Sequence, residues 1–312
     1  MTGSQRVVLL ACGSFNPPTN MHLRMFEIAR DFLHRTTNYH VVAGLMSPVH
    51  DKYGKEGLVN ATDRVQMLRL ALNSSAWVHV SEWETHQDDW TPTREVLQYH
   101  QELIDSMVNG NVDPTVKRQR VDGSTAWLTH LSGSTDTVTI KLLCGADLLE
   151  SFARPGLWKD EDIEALVGKF GLVVITREGS NPYKFIYESD VLTRHQRNIH
   201  IVTEWITNEI SSTKVRRALR RGDSVKYLVQ DSVIDYIYKN ALFDTHNKQA
   251  RRLHVLGKEL VGPCGLCEAA GTGTRVHACG GVNMDAVNID TATVTTTTLQ
   301  PSPTPPPSTL VT

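Results

Sequence analysis

The chain has 312 residues, 40% of them hydrophobic, enough for one large domain or two smaller ones and too many for a wholly disordered or fibrous chain. Its 32 basic and 34 acidic residues leave a net charge of −2, which gives no support to a nucleic-acid coat or a polybasic membrane binder. No apolar run approaches the roughly 18–20 residues of a bilayer span, and five cysteines without a secretory signal in the sequence point to a reducing compartment.

Arg6–Cys12 (RVVLLAC) is an apolar run closed by Gly13, the pattern of a buried strand. After Pro17-Pro18, the spacing of Met21, Met25, Ile28, Ala29 and Phe32 predicts a helix from about Asn20 to Leu33. Tyr39–Leu45 is a second strand, and the loop 47–58 carries Lys52, Tyr53 and Lys55. Ala61–Leu72 has helical apolar spacing, with Asn60 or Thr62 as its cap. Trp77–Val80 is a strand and Arg94–Met107 a helix. From Val108 to Asp136 the periodicity fails among Gly, Asp, Asn, Ser and Thr, and the segment reads as an inserted, mobile loop. Val138–Cys144 is a strand, followed by helices over Leu148–Phe152 and Glu161–Val167. Gly171–Thr176 and Ile199–Val202 are the last strands, and Ser212–Arg221 and Ser224–Asn240 are two closing helices.

Strands alternate with helices, and several strands are apolar throughout. That combination predicts an α/β fold, a doubly wound parallel sheet with helices on both faces. In such sheets ligands sit beyond the carboxyl ends of the strands, at the switch point of the strand order. The loop after the first strand is therefore the first place to look.

That loop reads Gly13-Ser14-Phe15-Asn16-Pro17-Pro18-Thr19-Asn20-Met21-His22. It has neither the GxGxxG dinucleotide fingerprint nor a Walker lysine. Gly13 lets the backbone approach a ligand closely. The N-terminus of the following helix favours a phosphate, with Thr19 and His22 in its first turn as grips for phosphate oxygens. Taken singly, each part is equally a turn, a cap and a surface histidine.

Near the other end lies Ile210-Ser211-Ser212-Thr213-Lys214-Val215-Arg216. Ser212 or Thr213 caps the next helix, and Thr213, Lys214 and Arg216 line its first turn. Alone this is a capped helix with basic residues facing solvent. Two such helix starts in one α/β domain point instead to a nucleotide triphosphate.

Together the two segments resemble a known superfamily. GSFNPPTNMH resembles the GxFxPxTxxH loop of the nucleotidylyltransferases, with Met21 where the older (H/T)xGH form has glycine, and ISSTKVR matches ISSTxxR. With Lys141–Phe152 (KLLCGADLLESF), Lys184–Leu192 (KFIYESDVL) and Ser211–Arg221, the span from about Val7 to Phe243 resembles the eukaryotic nicotinamide/nicotinate mononucleotide adenylyltransferases.

The resemblance implies a catalytic domain over residues 6–244 and the reaction of ATP with the mononucleotide to give NAD, or its nicotinate form, and pyrophosphate. Mg²⁺ is expected to ride on the ATP phosphates. The resemblance places Gly13, Ser14 and Phe15 at the bridging phosphates. It gives His22 the α- or β-phosphate and Ser212, Thr213, Lys214 and Arg216 the triphosphate. Gly145 and Asp147 would meet the adenosine, with Glu204 and Asn208 framing its site. Tyr53 and Lys55 would face the mononucleotide. Trp90, Thr93, Leu157 and Trp158 would build the nicotinamide pocket, where aromatic faces suit a flat, cationic ring. Acceptance of both mononucleotides, a homo-oligomer and a nuclear or cytoplasmic location are further expectations from the family.

Other adenylyl- or cytidylyltransferases share the two motifs, but Trp90, Trp158 and KLLCGADLLESF argue against them. A class I aminoacyl-tRNA synthetase would need a KMSKS-type loop and an anticodon domain. A second, chaperone-like role with protein clients is credited to some family members and is carried as the alternative. Lys117–Arg120 is a weak import-signal pattern. Cys264, Cys267, His277 and Cys279 lack usual zinc spacing. Residues 245–312 read as a low-complexity, disordered tail.

Overall fold

The computed structural model describes residues 4–109, 127–128, 137–176, 179–206 and 208–245. The tail, most of the insertion and the Lys117–Arg120 pattern lie outside the described residues.

In chain order the elements are β1 (Gln5–Gly13), α1 (Asn20–Thr36), β2 (Tyr39–Pro48), α2 (Ala61–Ala71), β3 (Val78–Val80), α3 (Thr93–Val108) and β4 (Val138–Gly145). There follow α4 (Ala146–Ser151), α5 (Asp160–Glu164, running into a π-helical turn Ala165–Phe170) and β5 (Leu172–Thr176). The last are α6 (Pro182–Tyr187), α7 (Asp190–Arg194), β6 (Ile199–Thr203), α8 (Ser212–Arg221) and α9 (Asp231–Lys239). The six strands form one parallel sheet in the order β3-β2-β1-β4-β5-β6. The strand order reverses between β1 and β4, which puts the switch point at the ends of Gly13 and Gly145.

Alternation along β1 builds the core on both sides. Val8 and Leu10 join Val96, Leu97 and Ile104 of α3 on one face. Val7, Leu9 and Ala11 join Met25, Phe26 and Ala29 of α1 on the other. A third apolar cluster unites α2, α8 and α9 through Met67, Ala71, Val215, Leu219, Val233 and Ile237.

Gly44 of β2 marks where α1 comes closest. A Cβ there would lie 2.7 Å and 2.9 Å from the buried Phe26 ring and 3.1 Å from Val78. Gly44→Ala is therefore expected to cost about 1–3 kcal/mol, because a packed ring must move. A fall in the denaturant midpoint at constant m checks this, and an unchanged midpoint contradicts it.

Three expectations need correction. The second closing helix begins at Asp231, not Ser224, because residues 224–230 form a turn with a Lys226–Val229 bridge. The inserted segment is not wholly a solvated loop: Trp127 and Leu128 are 2% and 0% exposed and belong to the α3-side core. Two apolar residues without periodicity leave no pattern to read. Finally, β2 runs on to Pro48, because Met46 and Ser47 continue the ladder beside Ala11 and Cys12.

Candidate active site

The loop after β1 is held from three sides. Asn16, fully buried, donates through Nδ2 to Gly57 O (2.8 Å) and accepts the Val59 N–H (3.3 Å). The Gly13 carbonyl accepts the Val49 N–H at 3.0 Å. Arg64 of α2, also fully buried, donates to Ser14 O (3.3 Å), Val49 O (2.6 Å), Val59 O (2.9 Å) and the Asp51 carboxylate (2.8 Å). One guanidinium thus fixes the phosphate-type loop and the loop 49–59 as a unit.

His22 is set by Thr19. Its Nδ1 accepts the Thr19 N–H at 2.9 Å and lies 2.9 Å from the Thr19 hydroxyl. In the neutral ring the proton therefore sits on Nε2, making that nitrogen a donor. The Phe15 ring packs edge-on against the imidazole, 5.3 Å between centroids. Thr19 is 2% exposed and its polar groups face the imidazole, so it orients His22. The α1 N-terminus is also partly occupied, since the Asn20 N–H donates to Leu228 O at 3.0 Å.

The second motif meets the first across the switch point. Ser211, not Ser212 or Thr213, caps α8, its hydroxyl accepting the Lys214 N–H at 3.2 Å. Ser212 is freed from capping and donates to Pro17 O at 2.8 Å. Arg216 donates to Asn16 O at 2.8 Å and reaches Thr213 Oγ1 at 3.5 Å. Burial, then Arg220 nearby, lowers the Arg216 pKa from its usual value. Lys214 pairs with the exposed Glu209 at 2.5 Å, a contact weak enough to yield to a more charged ligand. The Ser212 and Thr213 N–H groups, in the first turn of α8, have no intrahelical acceptor and form a ready anion site.

At the end of β4, a Cβ on Gly145 would strike the Asp147 carboxylate, so glycine is needed for that carboxylate to fold back over the strand end. Glu204 is anchored more than presented: its carboxylate takes Arg24 Nε (3.1 Å) and the Ile206 N–H (3.0 Å). Asn208 accepts the Ile210 N–H at 3.0 Å and shapes the approach to α8.

Beyond the β2 end, Tyr53 and Trp90 are 48% and 45% exposed with ring centroids 6.2 Å apart, an open aromatic wall. Lys55 Nζ lies 3.4 Å from Ser14 Oγ, joining that wall to the phosphate loop. Thr93 opens α3 just after Trp90. Leu157 is 57% exposed. Trp158 is half-buried, edge-on to Phe152 (5.0 Å) and donating to Ser151 Oγ at 3.0 Å. Its indole is thus fixed within the β4–β5 connection.

Arg64 and Glu84 escape the motif reading. Arg64 carries one signal, a position four before Leu68 on the buried face of α2. Glu84 sits in a four-residue 3-10 turn, too short for any periodicity.

A parallel sheet whose switch point is crowned by two phosphate-type helix starts defines a nucleotide-binding transferase of the doubly wound class. The cytidylyltransferase-like family model matches residues 10–218. The nicotinamide-nucleotide adenylyltransferase of Drosophila melanogaster is 52% identical over 244 residues, covering 78% of this chain and 62% of that protein. The chain thus spans less than two thirds of that relative's length. Nicotinamide/nicotinic acid mononucleotide adenylyltransferase 1 of Bos taurus is 51% identical over 254 residues, covering 78% of this chain and 90% of the relative. The chain belongs to the nicotinamide/nicotinic acid mononucleotide adenylyltransferases. Among solved structures, the nicotinic acid mononucleotide adenylyltransferase of Plasmodium falciparum complexed with NaAD superposes with a TM-score of 0.53 at 18% identity, covering 78% of this chain and 99% of that one. At that identity the likeness concerns the fold.

Proposed function

We infer that this chain transfers the adenylyl group of ATP to nicotinamide or nicotinate mononucleotide, forming the dinucleotide and pyrophosphate. The observation that carries the reading is the Arg216–Asn16 bond. It clamps the two phosphate-type segments, 200 residues apart in sequence, over one strand end. The adenylyltransferase names of the fly and cattle relatives support the same chemistry.

In the reaction a mononucleotide phosphate oxygen attacks the ATP α-phosphorus. The bond to the β-phosphate bridging oxygen breaks, and its electron pair leaves with pyrophosphate. The nucleophile is already an anion, so no protein base is required. The protein's work is positioning and neutralisation of charge. The His22 Nε2–H donates to the α-phosphate. The first turn of α8, with Ser212, Thr213, Lys214 and Arg216, holds the leaving phosphates. The backbone of Gly13, Ser14 and Phe15 lets the chain pass close to them. Asp147 accepts from ribose hydroxyls beside Gly145, and Glu204 and Asn208 shape that rim. Tyr53 and Trp90 stack on the pyridine ring, Lys55 meets the mononucleotide phosphate, and Thr93, Leu157 and Trp158 complete the pocket.

Among the described residues, no group of three or more His, Cys, Asp or Glu side chains is placed to hold a metal ion. By kinship, Mg²⁺ would enter with ATP, bound to phosphates and water, and would supply further neutralisation there. A homo-oligomer and a nuclear or cytoplasmic setting remain part of the proposal by kinship.

Trp90→Ala tests the aromatic wall. Stacking and cation–π attraction of about 0.5–2 kcal/mol predict a rise of roughly 2- to 30-fold in the mononucleotide KM, with the ATP KM unchanged. An equal rise in both, or in neither, would remove Trp90 from the mononucleotide side.

A further inference from the structure

Behind the aromatic wall lies a buried acid that substrate chemistry does not require. Glu84 is 2% exposed, and its Oε2 accepts the hydroxyl of the fully buried Ser47 at 2.8 Å. It also accepts the backbone N–H of His50. These contacts join the end of β2 to the 3-10 turn Trp83–His86. The same two segments then run outward side by side. Lys52 Nζ donates to Asp88 O at 2.7 Å and lies 3.7 Å from the Asp89 carboxylate. The Tyr53 and Trp90 rings meet last, at the solvent edge. The outer links are exposed and individually weak. The buried end of the staple is Glu84.

We propose that Glu84 is a positioning residue for mononucleotide binding: its carboxylate locks the 47–53 segment to the 83–90 segment, and so fixes the spacing of the Tyr53–Trp90 wall. The proposal rests on the mononucleotide reading of that wall given above.

The charge state of Glu84 makes the lock sensitive to pH. Burial raises its pKa from 4.5 to about 7, against the opposing pull of the Ser47 hydroxyl, Arg64 and the His50 N–H. An ionised carboxylate accepts from both donors. A protonated one must find an acceptor for its own proton, and the Ser47 hydroxyl then has to reverse its role. The other groups facing this spot are Cys12 of β1, whose thiol is pushed up by burial and by Glu84 itself, Arg64 of α2, and His50 with Asp51 of the adjoining turn. His100 of α3 lies one residue layer away, bonded to Ser81, and its pKa is lowered to about 4 by burial. The raised acid also sets a sign for stability. This group's contribution is largest below about 4.5 and is lost as pH climbs through about 7. The ionised form that orders the wall is thus the form that folding disfavours, a cost consistent with a role in binding.

The test measures KM for nicotinamide mononucleotide and for ATP, from pH 6 to 8.5, on the full chain and on Glu84→Gln and Trp90→Ala. At pH 8, Glu84→Gln is expected to raise the mononucleotide KM about three- to tenfold, with kcat and the ATP KM nearly unchanged. The gap should close towards pH 6, where the wild-type carboxyl is protonated too. Titration of the substrate phosphate is common to both enzymes and cancels. A gap that is absent at pH 8, or equal at both ends, overturns the proposal. If Trp90→Ala leaves the mononucleotide KM unchanged, the wall reading itself fails. If Trp90→Ala raises it and Glu84→Gln does not, only the role of Glu84 fails. Should Glu84→Gln not fold, Ser47→Ala carries the test: loss of a donor should shift the midpoint of the KM profile upward, and an unmoved midpoint overturns the proposal.

Discussion

His22→Ala is expected to lower kcat by about 10²–10³-fold while leaving the fold and both KM values close to wild type. The size follows from what one pre-aimed donor contributes where negative charge builds at a transition state, about 3–4 kcal/mol. The imidazole is oriented before substrate arrives: Thr19 holds Nδ1 and Phe15 packs edge-on beside the ring. The side chain is only half-buried, so truncation leaves no large cavity. Equal losses in kcat and kcat/KM, with an unchanged circular dichroism spectrum and melting temperature, would match a contact made in the transition state. A higher KM at constant kcat would contradict it. Thr19→Val should show a weaker version of the same effect, because the ring then loses one of its two orienting contacts.

Arg64→Ala is the largest expected effect on stability, about 3–5 kcal/mol. Arg64 is among the bulkiest fully buried side chains of the described residues and satisfies three backbone carbonyls, those of Ser14, Val49 and Val59, besides Asp51. Its removal leaves these acceptors without their donor and opens a cavity beneath the phosphate loop. Asp51, with its side chain 50% exposed, turns to water at little cost, so the loss lies mainly with the carbonyls. Arg64→Lys should recover only a minor part, since one ammonium cannot span four acceptors in a planar fork. Urea unfolding monitored at constant m measures the loss. A change below about 1 kcal/mol would show that the loop is held by other means. The surviving folded fraction should also bind both substrates less well, because Ser14 and the 49–59 loop are positioned by the same group.

The parts of the fold that could be read from sequence are those that obey a period. The apolar runs RVVLLAC and GLVVIT became β1 and β5 because strands covered on both faces carry no polar alternation. The phosphate-type helix starts were visible because caps, hydroxyls and cations must cluster there for electrostatic reasons. What escaped has no period. Trp127 and Leu128 enter the core from a polar stretch, and Asn20 is tied to a turn at residues 227–228 that an apolar spacing continuous with the next helix disguises. The inward turn of Thr19 escaped too, because sequence spacing shows that two side chains share a helix turn but not which of them faces inward. Beside the local Arg64–Val59 bond, Arg64, Asn16 and Glu84 define the shape of the site through contacts spanning 13 to 50 residues, or 200 for the Asn16 carbonyl. Only the folded chain brings such pairs together.

On the proposed reading the chemistry lies at one strand end and runs by alignment and charge, without a covalent intermediate. The most direct measurement is to give the purified full chain ATP labelled at the α-phosphate together with nicotinamide mononucleotide and Mg²⁺, and to follow the label. The account predicts that all transferred label appears in NAD, with one pyrophosphate released per dinucleotide and none of the label on the protein at any time. Label trapped on the chain before mononucleotide is added, or release of orthophosphate without dinucleotide, would contradict it.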